Sequence, residues 1–258
     1  MNKRLIFFDI DGTLINQDQQ LPGTAKRAIK RRKEQGHEVA FATGRAPFMF
    51  KKLRDELVIH TYINLNGQYA VHNGEVIFKN PLSSKSLALL HENAFKLNHP
   101  LVFVDQDNMS MMFELHIYAE EILSPITMEH PLLFDRHYFK NREIYQALLF
   151  CYEEENQHYS SLFSDLNFVR WHPYVSDVLP AGGSKAKGLE VVINHLGFEK
   201  ESVCAFGDGL NDIEMLEFVG NGVAMGNAID KVKQAAKYVT KDINDNGILH
   251  GLKMLVLL

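Results

Sequence analysis

The feature that most constrains this chain is an alternation of short apolar runs with amphipathic stretches, and it occurs twice. "LIFF" (Leu5–Phe8) reads as a buried strand. The stretch from Pro22 to Gln35 reads as a helix, with Ala25, Ala28 and Ile29 on one side and Gly36 as its stop. "EVAFA" (38–42) is the next strand, and a helix over 46–57 follows with Pro47 in its first turn. "YINLNG" supplies another strand, and "YAVHNGEVIF" reads as a hairpin turned at Asn73-Gly74. After residue 182 the alternation returns: helix 184–196, strand 202–206, helix 211–218, strand 221–225 and helix 228–236. Strands separated by helices predict a parallel sheet with crossover helices.

The middle of the chain reads differently. From about 84 to 181 the order is helix, short strands near 100–105 and 109–113, a helical stretch, strand 144–152, helix 153–163, then strands near 166–172 and 175–179. The expected architecture is therefore a doubly wound α/β core, 1–81 and 182–258, with an inserted α+β domain, 82–181.

Composition narrows the function. With 258 residues the chain can bury a real core, and a formal charge of −5 gives no general attraction to nucleic acid or an acidic membrane. Cys151 and Cys204 are the only cysteines and form no CxxC, which fits a reduced, cytoplasmic compartment. The apolar run before Asp9 is too short for a signal peptide, and no run approaches the ~18 residues of a membrane span. The basic run "KRRK" (30–33) is expected on a solvated helix face.

In open parallel sheets, functional residues gather beyond the carboxyl ends of the strands. Asp9 and Asp11 follow the first strand, and Thr43, Gly44 and Arg45 follow "EVAFA". Lys185 and Lys187 stand where the chain returns to the core, and "GDGLND" (207–212) follows the strand at 202–206. Asp9, Asp11, Asp208 and Asp212 would thus cluster at one sheet edge. Two like charges ~4 Å apart at an effective dielectric of ~20 repel by about 4 kcal/mol. A hard cation among them offsets that cost, and Mg²⁺ typically joins protein carboxylates to a substrate phosphate. Thr43 offers a hydroxyl and backbone N–H groups, and a lysine offers a point charge; both suit phosphate oxygens.

Together these groups describe phosphoryl transfer. One carboxylate of the first pair can attack phosphorus. The other, two residues on and on the same face by the strand period, can protonate the leaving oxygen and then deprotonate a water. Gly12 lets the backbone turn sharply towards the phosphate. Competing motifs are incomplete. "GDGLND" lacks the last glycine of GxGxxG, and its Asp208 would repel a pyrophosphate. "HENAF" (91–95) lacks the second histidine of a zincin. "MSMMF" (109–113) reads as adaptable core.

These residues resemble the haloacid dehalogenase (HAD) superfamily, specifically the Cof-type phosphatases of subfamily IIB. "FFDIDGTL" looks like its motif I, "ATGR" (42–45) motif II, "GGSKAKG" (182–188) motif III and "GDGLND" motif IV. "VAMGNA" (223–228) and "NDNGI" (244–248) resemble its C-terminal signature. The resemblance implies a Rossmannoid core with a C2-type cap. It implies that Asp9 is the nucleophile and Asp11 the general acid/base. Mg²⁺ would be held by Asp9, the backbone carbonyl of Asp11 and Asp208, with Asp212 in or near the layer of residues behind those ligands. Thr43, Gly44 and Lys185 would hold phosphate, helped by the Ile10 backbone and Asn211. Too few residues separate Asp11 from Thr43 to house a cap, whereas the stretch from Thr43 to Lys185 is ample. The implied activity is a Mg²⁺-dependent phosphatase of small phosphorylated metabolites. A phosphomutase or phosphotransferase is the nearest alternative. A phosphoacceptor signalling domain is more distant, because such domains are about half this length. A dead binding protein is disfavoured, since every motif residue is present.

Motif III here has Ala186 and a second lysine where many relatives have glycine after the lysine. The helix period separates the two lysines. Leu189, Val192, Ile193 and Leu196 form one face, which Lys185 extends and from which Lys187 turns away by about 200°. Ser184 is a plausible N-cap, placing Lys185 in the first turn. Asn66, after the third strand, is a candidate for the rim of the site.

Overall fold

The computed structural model describes residues 3–114, 116–127 and 130–255. Fourteen strands are present among the described residues: β1 Leu5–Phe8, β2 Glu38–Ala42, β3 Thr61–Asn64, β4 Tyr69–His72, β5 Glu75–Lys79, β6 Leu101–Val104, β7 Met109–Met111, β8 Leu133–Phe134, β9 Gln146–Phe150, β10 Leu166–His172, β11 Val175–Pro180, β12 Val203–Gly207, β13 Asn221–Ala224 and β14 Tyr238–Val239. The α-helices are α1 Gly23–Glu34, α2 Lys51–Leu57, α3 Ser84–Lys96, α4 Ile117–Thr127, α5 Glu153–Leu162, α6 Lys185–Leu196, α7 Ile213–Phe218, α8 Asp230–Ala235 and α9 Gly247–Met254. The chain divides into two compact units: Met1–Gly44, Lys52–Phe78 and Ser184–Leu258 in one, and Arg45–Lys51 and Lys79–Gly183 in the other.

The first unit is built on an eight-stranded sheet ordered β14-β13-β12-β1-β2-β3-β4-β5. The strands from β14 to β3 pair in parallel, and β4 returns antiparallel to β3. All four residues of β1 are fully buried, the pattern of a parallel strand covered on both faces. On one face Leu5, Phe7, Ala40 and Ile63 pack with Leu189, Val192 and Ile193 of α6, Met215 and Leu216 of α7, and Val232 of α8. Helices α1 and α9 pack together, and α1 also packs on β2. The β4–β5 turn has φ of 50° at Asn73 and 84° at Gly74, the left-handed pair that a two-residue hairpin favours.

The second unit carries a six-stranded sheet ordered β10-β11-β9-β6-β7-β8, antiparallel except for the β7–β8 pair. Leu87, Leu90 and Ala94 of α3 and Tyr159 of α5 pack on Leu101, Phe103, Ala147 and Leu149 of the sheet. Ser83 caps α3 by accepting the Ser86 N–H at 3.1 Å.

Several expectations change in detail. The helix expected over 46–57 divides into a 3₁₀ turn, Pro47–Phe50, and α2. β7 ends at Met111 rather than 113, and β9 is shorter than 144–152. Arg32 of the basic run does not face solvent. It follows Ala25, Ala28 and Ile29 on the helix period and is fully buried with them. Helix α9 and the short strands β8 and β14 have no counterpart in the sequence reading. Two glycines weaken the helical signal of α9. One of them is required by packing, since a Cβ on Gly251 would lie 2.5 Å from the Phe206 ring.

Candidate active site

The strand order sets β12, β1, β2 and β3 side by side and parallel. The residues just past their carboxyl ends therefore become neighbours although they are far apart in sequence. Asp9 follows β1, Thr43 follows β2, Asn66 lies just past β3, and Asp208 follows β12.

Lys185 stands in the first turn of α6, behind the Ser184 cap. Its Nζ donates to Asp9 Oδ1 and to Asp212 Oδ1, each at 2.6 Å. It is 1 % exposed. Lys187, two residues on, is exposed and pairs with Glu190 at 2.9 Å.

Both oxygens of Asp212 accept hydrogen bonds. Its second oxygen accepts the N–H groups of Asp208 and Gly209, both at 2.9 Å. Asp208 Oδ1 accepts the Thr13 hydroxyl at 2.7 Å. The Gly12 turn that presents Thr13 has φ of 77°, and a Cβ there would lie 2.1 Å from Asp208 Oδ2. Only glycine permits both the backbone angle and this approach. Asn227, from "VAMGNA", donates to the Gly12 carbonyl at 2.8 Å and accepts the Ile243 N–H at 3.1 Å. It braces the turn from the C-terminal part of the chain. The sequence reading gave Asn227 no role; its place in a signature segment was the available signal.

Thr43 is buried, and its N–H bonds to the Ile63 carbonyl at 2.9 Å. Asn211 donates from Nδ2 to Asn66 Oδ1 at 2.9 Å. Asp11 lies differently from the strand-period expectation. β1 ends at Phe8, so the two carboxylates are not alternate residues of a strand. Asp11 sits in the turn that follows, bridged to Ile15, and is exposed, whereas Asp9 is buried.

The electrostatics follow from one ammonium among several carboxylates. Burial pushes the Asp9 carboxyl well above its usual range, and Asp212 adds to this while Lys185 opposes it. Burial also raises Asp208, to about 6, against the Thr13 hydrogen bond that lowers it. Burial by itself would lower Lys185, but Asp212 and Asp9 outweigh it and hold the ammonium protonated. Asp9, Asp208 and Asp212 each offer an oxygen within 4.8 Å of the others. This donor set is all hard oxygen and carries more negative charge than Lys185 balances. It fits a hard divalent cation. Among the described residues, no helix is long and apolar enough to cross a membrane.

Known proteins share both the pattern and the shape. Residues 6–252 match the family model for haloacid dehalogenase-like hydrolases. YkrA of Bacillus subtilis (strain 168), to which phosphatase activity is provisionally ascribed, is 42% identical over 258 residues, spanning 100% of both chains. A crystal structure of a hypothetical protein from Geobacillus kaustophilus HTA426 superposes with a TM-score of 0.93 at 48% identity, covering 100% of both chains. The HAD subclass IIB sugar phosphatase BT4131 superposes with a TM-score of 0.90 at 30% identity, covering 99% of this chain and 100% of its own. A carboxylate cluster with a buried lysine at the ends of parallel strands, matched along nearly the whole chain, places this protein in the haloacid dehalogenase-like hydrolase family, as a phosphatase.

Proposed function

We propose that the protein is a Mg²⁺-dependent phosphatase of small phosphorylated metabolites that works through an aspartyl phosphate on Asp9. The observation that carries this reading is the Lys185 ammonium, 2.6 Å from Asp9 Oδ1 and buried beside it. A cation fixed at a buried carboxylate opposes the burial that would neutralise it and marks where a dianionic phosphoryl group can be held.

In this reading the Thr43 hydroxyl, the Gly44 and Ile10 N–H groups, Lys185 and the Asn211 amide hold the phosphoryl oxygens. An Asp9 oxygen attacks phosphorus as the bond to the leaving oxygen breaks, and the Asp11 carboxyl gives that oxygen its proton. Asp11, now a carboxylate, takes a proton from water as the water oxygen attacks the same phosphorus. The Asp9–phosphorus bond breaks, and inorganic phosphate leaves. Mg²⁺, held by Asp9, the Asp11 carbonyl and Asp208 with Asp212 alongside, would supply charge neutralisation of the phosphoryl group. Exposure of Asp11 favours its part, since the acid must meet both the leaving group and water. The inserted segment 82–181 is assigned as a C2-type cap and the source of substrate choice, and residues 1–81 and 182–258 as the catalytic core. The sugar phosphatase named among the relatives favours a phosphorylated sugar within the metabolite class. A cytoplasmic location suits such substrates.

The test is inorganic phosphate release from a panel of phosphorylated metabolites with Mg²⁺, by wild type and by Asp9→Asn. The amide is isosteric but a poor nucleophile, so turnover should vanish with the circular dichroism unchanged. Near-normal kcat in Asp9→Asn would overturn the covalent route. Transfer of phosphate to a second substrate without its release would point to a phosphomutase or phosphotransferase instead.

A further inference from the structure

The segment after β3 adopts an uncommon backbone. Leu65, Asn66 and Gly67 have φ of 51°, 53° and 94°, three successive left-handed residues. Left-handed φ is tolerated by Gly and by Asn, but it is an outlier for a bulky residue such as Leu65. Such strain persists only where the surroundings enforce it, and it concentrates at functional sites.

The surroundings here do enforce it. A Cβ on Gly67 would lie 1.9 Å from the Ser184 carbonyl oxygen, so the turn is pressed against the start of α6, the helix that carries Lys185. Leu65 is fully buried. The Asn66 carbonyl accepts the Gln68 amide at 2.9 Å, and its N–H reaches the Thr43 carbonyl at 3.2 Å. A Cβ on Gly44 would stand 3.2 Å from both polar atoms of the Asn66 side chain, which therefore lies across the Thr43–Gly44 loop. The same side chain accepts Asn211 Nδ2 at 2.9 Å. Asn66 is 3 % exposed.

We infer that Asn66 is a positioning residue: held by the left-handed Leu65–Gly67 turn, its side chain fixes Asn211 for phosphate binding and ties the loop after β2 to the loop after β12. The inference rests on the phosphatase reading above, in which Thr43, Gly44 and Asn211 contact the phosphoryl group. The physical reason is preorganisation. An asparagine amide at the rim samples several rotamers, and most of them point its donors away from an incoming oxyanion. Oδ1 of Asn66 accepts one N–H of Asn211 and so fixes the plane of its amide, leaving the other N–H in a set direction. The strained backbone is what delivers that acceptor. An extended continuation of β3 would carry residue 66 past the loop rather than across it.

The substitution that isolates the side chain is Asn66→Gly, because glycine accepts the left-handed backbone and removes only the amide. It is compared with wild type, Asn211→Ala and the double variant, with an aryl phosphate as substrate and orthovanadate as inhibitor. Asn66→Gly should raise KM and the vanadate inhibition constant together by about tenfold, the scale of one hydrogen bond to an anion, with kcat changed less than about twofold. The double variant should be no worse than Asn211→Ala within about twofold, since both substitutions break one linkage. Unchanged KM and inhibition constant in Asn66→Gly, or effects that multiply in the double variant, would overturn the inference while the phosphatase reading stands. Asn66→Ala removes the same amide at an added backbone cost. If it lowers Tm with no shift in KM or in vanadate binding, Asn66 is merely structural and the inference is wrong. Wild type that neither releases phosphate nor binds vanadate would remove the phosphatase reading itself, and the inference with it.

Discussion

The Lys185 ammonium donates to Asp9 Oδ1 at 2.6 Å, across a separation of 176 residues in the chain. Lys187, in the same segment, pairs with Glu190 at the surface. Lys185→Ala should therefore lower kcat/KM at least about a hundredfold, and Lys187→Ala less than about fivefold. Removing one partner of a buried ion pair commonly costs about 3–5 kcal/mol, so Lys185→Ala should also lower Tm. The reverse ranking of the two variants would move the phosphate contact to Lys187.

Asp11 is assigned the proton transfers, so its loss should depend on the leaving group. Asp11→Asn should slow hydrolysis of alkyl phosphates far more than that of aryl phosphates, whose leaving oxygens need less protonation. Measuring kcat/KM across a series of leaving groups checks this. Equal losses throughout would count against the acid role.

All the proposed cation ligands are oxygens, and among the described residues the acidic cluster consists of Asp9, Asp208 and Asp212. Activity should vanish in excess EDTA and return with Mg²⁺, while Zn²⁺ should substitute poorly because no Cys or His belongs to the set. Full activity in the chelator would sink the metal assignment.

Gly12 meets two demands at once, a φ of 77° and the approach of Asp208. Gly12→Ala should displace Asp208 and raise the Mg²⁺ concentration for half-maximal activity by about tenfold or more. A magnesium titration unchanged from wild type would show that the turn tolerates a side chain.

In the second unit, His91 is buried beside the Phe139 ring at 5.2 Å, and among the described residues its Nε2 has no hydrogen-bond partner. Burial lowers its pKa, and Arg136 and His137 lower it further. The folded state therefore takes up this proton less readily than the unfolded chain does. Stability is unaffected above the ordinary histidine pKa and falls as pH drops below it towards the folded value. Wild-type Tm should fall more steeply than that of His91→Leu between about pH 7 and pH 5. Parallel slopes would remove His91 from the acid response.

The sequence by itself determined the parallel alternation of strands and helices and the placement of Asp9, Thr43, Lys185 and Asp208 at the ends of elements. Those signals are local: the helix period, the buried apolar run, the cap at Ser184 and the turn at Asn73-Gly74. The period placed Lys185 on the face of Leu189 and Val192, where it is buried, and Lys187 away from it, where it is exposed. The same local reasoning misplaced Asp11 relative to Asp9, because it continued the strand period past Phe8, where β1 stops. It also left Arg32 on the surface, although residue 32 falls on the stripe of Ala25, Ala28 and Ile29. Only the tertiary structure decided which distant groups meet: the two carboxylates on Lys185, the Asn227 brace on the Gly12 turn, and the bond from Asn211 to Asn66. Each joins strand ends or loops far apart in the chain, and no local pattern encodes such a distance. The left-handed turn at Leu65–Gly67 belongs with them, since a leucine takes that backbone only when packing against its neighbours outweighs its own preference.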